Sequence, residues 1–287
     1  MNAERMVGRS LTSERWFGRA WGLALLVLLS ALFILPLLIT ASDSMKDFMG
    51  VYAMPRIWIP RPPHFENFLH IFTMMPFHRF FLNTLCITSL ALFGQAITAS
   101  LVGYSFARLR WPFRDALFVV LLSTIMLPPQ VTLIPVFIMF NQIGWVDTWL
   151  PLIVPAYFGG GVFNIFLMRQ FFKTIPLDLE EAAQIDGCST LRIFATIMVP
   201  LAKPAVATIC VLGFIGHWND FQNPLIYLSD YLKYPISLGI WMFRSAEVIY
   251  AHYIMAASLV AVLPVIVLFF AAQQYFVKGI VLTGIKG

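Results

Sequence analysis

The sequence predicts an all-α polytopic membrane protein with six transmembrane helices and a two-helix cytoplasmic loop. Three observations carry that reading. The chain is 60% hydrophobic and only 11% charged, with a mean hydropathy of +0.81, more apolar surface than a soluble domain hides. Six apolar stretches reach the about 20 residues that a helix needs to cross a roughly 30 Å hydrocarbon core. Between the last two long runs but one lies a polar, charged island, 179–204, of the kind a membrane protein keeps in water.

The elements follow in order. Arg5, Arg9, Arg15 and Arg19 precede an apolar run over 21–41. That run is too long for the apolar region of a signal peptide and long enough to span, so it is read as a retained first helix. Residues 42–79 form a long external segment with Pro55, Pro60, Pro62 and Pro63, then an aromatic-rich interfacial helix over 65–80. The remaining spans are expected over 81–107, 116–140, 150–168, 202–218 and 253–275. Each must be helical, because lipid offers no partner to a free backbone N–H or C=O. Pro128-Pro129 either kinks or breaks the third span. Gly159-Gly160-Gly161 either loosens the fourth or lets it pack closely. The external segment 141–149 is short, and 220–252 is polar, aromatic and irregular.

An even span count places both termini on one side. With that side cytoplasmic, thirteen Lys and Arg face the cytoplasm and six face outward, which favours this orientation. The domain plan is then a cytoplasmic N-terminal segment (1–20), a transmembrane domain (21–277) and a cytoplasmic tail (278–287). Topology control also accounts for the basic pI near 9.2. Membrane lipid is therefore the expected partner surface, and nucleic acid is not. Cys86, Cys188 and Cys210 have neither metal nor disulfide spacing. The five histidines fall on the external side without ligand spacing. No catalytic residue and no metal site is expected. No phosphate-binding Gly-rich loop with its Lys is present, so this chain should bind no cofactor itself. No Asp, Glu, Lys or Arg falls at mid-span, where an ion-coupled carrier usually places one. The energy for any transport is thus expected from another subunit.

The island reads as a helical elbow. Asp178 is a candidate N-cap with Glu181 three residues on, in capping-box spacing. Pro176 stops the preceding helix. Ala182 and Ala183 allow close approach, and Gly187 is a candidate stop. Ser189 or Thr190 caps a second helix whose Leu191, Phe194 and Ile197 share an apolar face. Pro200 and Pro204 mark the return to the membrane. Taken alone, this is an amphipathic re-entry loop or a docking surface for a soluble partner.

Glu181-Ala182-Ala183, then Gly187, Ile197 and Pro200, stand at the spacing of the EAA loop of ABC-importer permeases. Asp186 also fits, and Val199 stands where the family has Leu. The loop, 177–200, resembles that motif closely. The resemblance implies that the elbow is a coupling loop seated in a cleft of an ABC ATPase dimer. Glu181 would pair with a basic residue there, Leu191 and Phe194 would anchor the second helix, and Gly187 would permit close contact. ATP and Mg would be bound by the partner ATPase.

Trp218-Asn219-Asp220-Phe221 with Pro224-Leu225 resembles the carbohydrate permeases of the maltose-importer class. The C-terminal run Tyr275-Phe276-Val277-Lys278-Gly279 through Gly284-Ile285-Lys286-Gly287 is similar to the subunit of that class with a short tail. The resemblance implies a second homologous permease subunit, an external solute-binding protein and a sugar substrate. Trp218, Asn219, Asp220, Gln222 and Asn223 are candidate pathway residues. An aromatic beside amides and a carboxylate suits a pyranose, and it equally suits an interfacial helix end. Trp145, Trp149 and Trp241 are read as membrane anchors. A polyol, a glycerol phosphodiester or an anionic oligosaccharide remains open as cargo.

Overall fold

The structure is a computed structural model. It describes the backbone of residues 3–244 and 249–283, and the side chains of residues 21–244 and 249–273. The motif expected at 275–287 and the side chains of segment 1–20 lie outside those side-chain limits. The chain divides into two compact units, 1–71 with 243–260 and 72–242 with 261–287.

In the first unit, α1 (Ala3–Ser44) carries the first span, Trp21–Ser44. Its apolar stretch is exposed all round. The helix ends in a polar knot. Lys46 Nζ stands 2.6 Å from Asp43 Oδ1, and Arg56 Nη2 stands 2.5 Å from Asp43 Oδ2. Asn67 Nδ2 donates to the carbonyls of Ser44 and Lys46 at 2.9 and 2.8 Å. The Asp47 carboxylate caps α2 (Phe48–Val51) by accepting from the Gly50 amide. The expected interfacial helix is shorter than 65–80. Pro76 divides it, so that α3 (Asn67–Met74) stops and the second span begins at Phe77, four residues before the expected start.

The second unit is built around α4 (Phe77–Arg108). α5 (Arg114–Ser123) and α6 (Pro129–Gln142) form the third span, bent by 100° between Met126 and Pro129. The proline pair therefore breaks this span. Pro128 is extended, and Pro129 sits at the helix start where its missing N–H costs nothing. The fourth span, Leu150–Thr174, contains α7 (Leu150–Ile153) and α8 (Val162–Thr174). Between them, Gly159, Gly160 and Gly161 take φ of +88°, +59° and +100°. Three successive left-handed residues end the helical path, so the glycine run also breaks its span. The polar island holds α9 (Asp178–Ile185), α10 (Thr190–Ile193), a π turn over Phe194–Met198 and α11 (Val199–Leu201). α12 (Lys203–Trp218) carries the fifth span at 75° to the segment before it. α13 (Gln222–Tyr227) and α14 (Ile236–Trp241) give segment 220–252 more helix than expected. α15 (Ala251–Thr283) carries the sixth span, Ala251–Gln273. Among the described residues, four stretches are each long and apolar enough to cross, the one over Leu150–Thr174 being interrupted at its glycines, and the two bent pairs bring the number to as many as six.

Packing in this unit depends on close approach to α4. A Cβ on Gly103 would stand 2.6 Å from Met168 Cβ and 3.0 Å from the Arg169 amide, so α8 lies directly against bare backbone. Beneath the island, Ala99, Tyr104, Met168, Phe172, Ile193, Met198 and Ile209 form a continuous buried cluster. A second cluster gathers Ile87, Phe140, Leu152, Tyr227 and Leu228, with Trp145 and Trp149 packed against it. These two tryptophans are therefore packing residues. Trp145 stacks on Phe140, and Trp149 Nε1 donates to the Lys233 carbonyl at 3.0 Å.

Candidate functional site

The elbow is set by its backbone. α9 ends in a complete Schellman motif: the Cys188 amide donates to the Ala183 carbonyl at 2.9 Å, and the Gly187 amide to the Gln184 carbonyl at 3.0 Å. Gly187 holds the left-handed conformation this requires, at φ +77°. The Ser189 hydroxyl then accepts from the Arg192 amide and starts α10. Of the two expected caps for this helix, Ser189 is the one used. The expected capping box at the front of α9 does not form. Asp178 is already helical, and Leu177 occupies the cap with no side-chain bond. The carboxylates of Asp178, Glu180 and Glu181 instead crowd the first turn, where the helix dipole favours negative charge. Past α10, Pro200 has no N–H to donate to Thr196, and the helix passes through its π turn just before it.

This geometry divides the expected coupling residues. Glu181, Ala182, Asp186, Gly187 and Leu191 are exposed, as is Pro200. Ile185 joins them at 87% exposure, and Leu177 and Leu179 are exposed as well. Ala183 is buried, and Phe194 and Ile197 are half-buried against the internal cluster. Phe194 meets the rings of Tyr104 and Phe172. The face predicted to hold Leu191, Phe194 and Ile197 together is therefore split, with Leu191 exposed and Phe194 and Ile197 packed against the internal cluster.

On the inner side, the Arg108 guanidinium gathers three elements. Its Nη2 donates to the Phe172 carbonyl at 2.7 Å, which also accepts from the Ile175 amide, and to the Ile175 carbonyl just past the end of α8. Its Nε lies 3.5 Å from Glu180 Oε1, and both side chains are buried. Burial pushes the Glu180 carboxyl above its ordinary range, and the Arg108 charge opposes that rise. Arg169 reinforces the same region, with its guanidinium 3.8 Å from the centre of the Phe118 ring. Sequence reasoning assigned Arg108 to topology and gave Glu180 no role.

A second feature lies beside the glycine break. Two neighbouring cavities, of about 550 and 420 Å³, share Gln95, Gly160, His217, Asp220 and Asn223 in their walls. The first adds the rings of Phe140, Phe158 and Tyr227. The Asp220 carboxylate accepts from the Asn223 side-chain amide at 2.9 Å and from its backbone amide at 3.2 Å. Gln95 Nε2 is held by the Ile209 carbonyl at 2.9 Å. Among the described residues, no Lys or Arg lines either cavity.

The five candidate pathway residues separate accordingly. Asp220 and Asn223 face the cavities. Asn219 and Gln222 are exposed but outside both walls. Trp218 is a correction: its indole is buried, stacked on Phe214, and its Nε1 donates to the Ala261 carbonyl at 2.9 Å. With its only polar atom spent inside the fold, it presents nothing to a solute. The cavity residues that sequence reasoning missed, Gln95 and His217, lie within apolar spans, where a single polar residue gives no periodic signal.

The matches to known proteins agree with this architecture. The family model for the binding-protein-dependent transport system inner membrane component matches residues 99–281. The melibiose/raffinose/stachyose import permease protein MelC of Bacillus subtilis strain 168 is 33% identical over 254 residues, 88% of this chain and 91% of that protein. The maltodextrin transport system permease protein MdxG of the same organism is 32% identical, covering 91% of this chain and 94% of that one. A crystal structure of a bacterial ABC transporter that imports the acidic polysaccharide alginate shares the fold. Its TM-score is 0.80 at 24% identity, over 92% of this chain and 98% of that chain. The chain belongs to the family of inner-membrane components of binding-protein-dependent transport systems.

Proposed function

We propose that this chain is the permease subunit of an ABC importer that carries a neutral sugar or oligosaccharide across the cytoplasmic membrane, with both termini cytoplasmic. The exposed face of the elbow carries this reading. Glu181, Ala182, Ile185, Asp186, Gly187 and Leu191 give the elbow an exposed, mixed apolar and acidic surface. Ala183, Phe194 and Ile197 back it from within, and Pro200 returns the chain to the bundle. An ABC ATPase dimer receives that surface, binds ATP and Mg, and supplies the chemistry. This subunit is not itself catalytic. A second homologous permease completes the pathway, and an external solute-binding protein delivers the cargo. ATP favours the closed ATPase dimer, which favours the outward-facing permease, so transport follows from unequal affinity for two states.

The cavity walls support a neutral cargo. Amides, an imidazole and aromatic rings suit hydroxyls and the faces of sugar rings. Among the described lining residues, Asp220 is the one carboxylate and no Lys or Arg stands beside it, which opposes an anion. The sugars in the names of MelC and MdxG point the same way. The test is uptake into proteoliposomes that hold the purified assembly with ATP inside and its own solute-binding protein outside. Raffinose should accumulate with ATP, and should still do so after an ionophore collapses the proton gradient. An alginate oligosaccharide should accumulate far less. Uptake that stops with the ionophore would instead identify an ion-coupled carrier, and preference for the alginate oligosaccharide would assign an anionic cargo.

A further inference from the structure

We propose that Arg108 and Glu180 form a latch that carries movement of the elbow into α4 and α8, making both positioning residues for coupling. The proposal rests on the elbow being the ATPase contact. Consecutive residues of α9 point opposite ways: Glu181 is exposed, while the Glu180 side chain is only 8% exposed. Glu180 meets the Arg108 guanidinium, which is the last residue of α4 and also holds the Phe172 and Ile175 carbonyls at the end of α8. One side chain thus joins the ends of two membrane helices to the first helix of the elbow.

The physical argument is one of cost. A buried charge that loses its partner is strongly destabilised. If α9 is displaced, it must draw Arg108 along or leave Glu180 unpaired. Arg108 cannot follow without pulling on the α8 carbonyls or on its own helix. The pair also has room to change. Its atoms stand 3.5 Å apart, and neither Arg108 Nε nor Glu180 Oε1 makes a hydrogen bond. A small approach of α9 would complete that bond, and a small retreat would break the pair. Either movement alters the free energy of the bundle.

Glu180→Gln tests the latch, since it keeps the shape and removes the charge. The assembled transporter would carry a reporter, Asn223→Cys, with Cys86, Cys188 and Cys210 changed to Ser. Labelling of the reporter by a membrane-impermeant maleimide is read with and without ATP and vanadate. In the parent, ATP should change the labelling rate. In Glu180→Gln the ATPase should assemble and hydrolyse ATP as before, while the ATP-driven change falls at least about fivefold, the lower range of coupling between sites. Arg108→Lys, which keeps a charge but not the fork of donors, should retain an intermediate response. An undiminished response in Glu180→Gln overturns the latch. Loss of assembly in that variant also overturns it, because the latch predicts lost transmission with assembly kept. A parent without any ATP response would defeat the elbow reading, and the latch with it.

Discussion

Gly187 sits at φ +77°, with no atom within 4 Å of where a Cβ would stand. A side chain there meets open space, so its only internal cost is the left-handed backbone, about 1–2 kcal/mol. Gly187→Arg should therefore leave the spans inserted. It should sharply weaken recovery of the ATPase in a pull-down and reduce uptake in parallel. Full uptake in that variant would remove the docking role from the elbow. The neighbouring carboxylates show how far a single-residue reading reaches. The acidic pair Glu180-Glu181 was plain in the sequence, and Glu181 was singled out by motif spacing. That Glu180 turns inward follows from Arg108, 72 positions earlier, and nothing local marks it. Trp218 is the converse case. An aromatic beside Asn219 and Asp220 has the composition of a sugar site, but the position of the Ala261 carbonyl commits its N–H elsewhere.

Helices α4 and α8 show what decides fit between elements. Their approach at Gly103 leaves no space for a side chain, since an added Cβ would meet Met168 Cβ at 2.6 Å. Gly103→Val should cost on the order of 1–3 kcal/mol through overpacking. The check is a lower midpoint in thermal aggregation of the detergent-solubilised assembly. An unchanged midpoint would mean that the helices separate without penalty. The spans themselves were legible, because apolar length is a local property. Their breaks were legible only as alternatives. Pro128-Pro129 and the three glycines each permit a kink or a rupture. The 100° bend shows which alternative the prolines take, and the positive φ values at the glycines are backed by particular neighbours. At the glycines, the Thr98 hydroxyl accepts from the Gly159 amide at 3.0 Å, and Asn164 Nδ2 donates to the Gly160 carbonyl at 2.5 Å. Both partners satisfy backbone groups that the broken helix frees, which lipid would leave unpaired.

At the scale of the whole molecule, distant segments are tied by a few polar clamps outside the spans. Asp147 is the clearest. Its Oδ1 accepts from the amides of Ser229 and Asp230 at 3.0 and 2.9 Å, and its Oδ2 lies 2.8 Å from Lys233 Nζ. The amide bonds, chiefly that from Asp230, and the Lys233 ammonium hold its carboxyl down at about 2. A depressed carboxylate stabilises the fold above its unfolded value of about 3.9, and that contribution is lost as pH falls through about 2. Hydrogen exchange at Ser229 and Asp230, corrected for intrinsic rates, should thus stay slow down to about pH 4 and rise from there toward about pH 2. Asp147→Asn should flatten that dependence. It should cost only about 1 kcal/mol, because the site is over a third exposed and solvent screens the pair. A pH profile unchanged by the substitution would reject the clamp.

Composition and period alone established that this chain lies in a membrane, crosses it about six times and folds its polar island into a glycine-jointed elbow. These are properties of short windows, governed by transfer from water and by backbone preferences within a few residues. Tertiary structure decided which side of the elbow faces out, that Phe194 packs inward, that Trp218 closes the core, and that Gln95 and His217 join Asp220 and Asn223 around a cavity. Each of those outcomes depends on a partner tens of residues away in the chain. In a sequence where nearly every window is apolar, hydropathy does not distinguish the surface that meets lipid from the surface that meets protein.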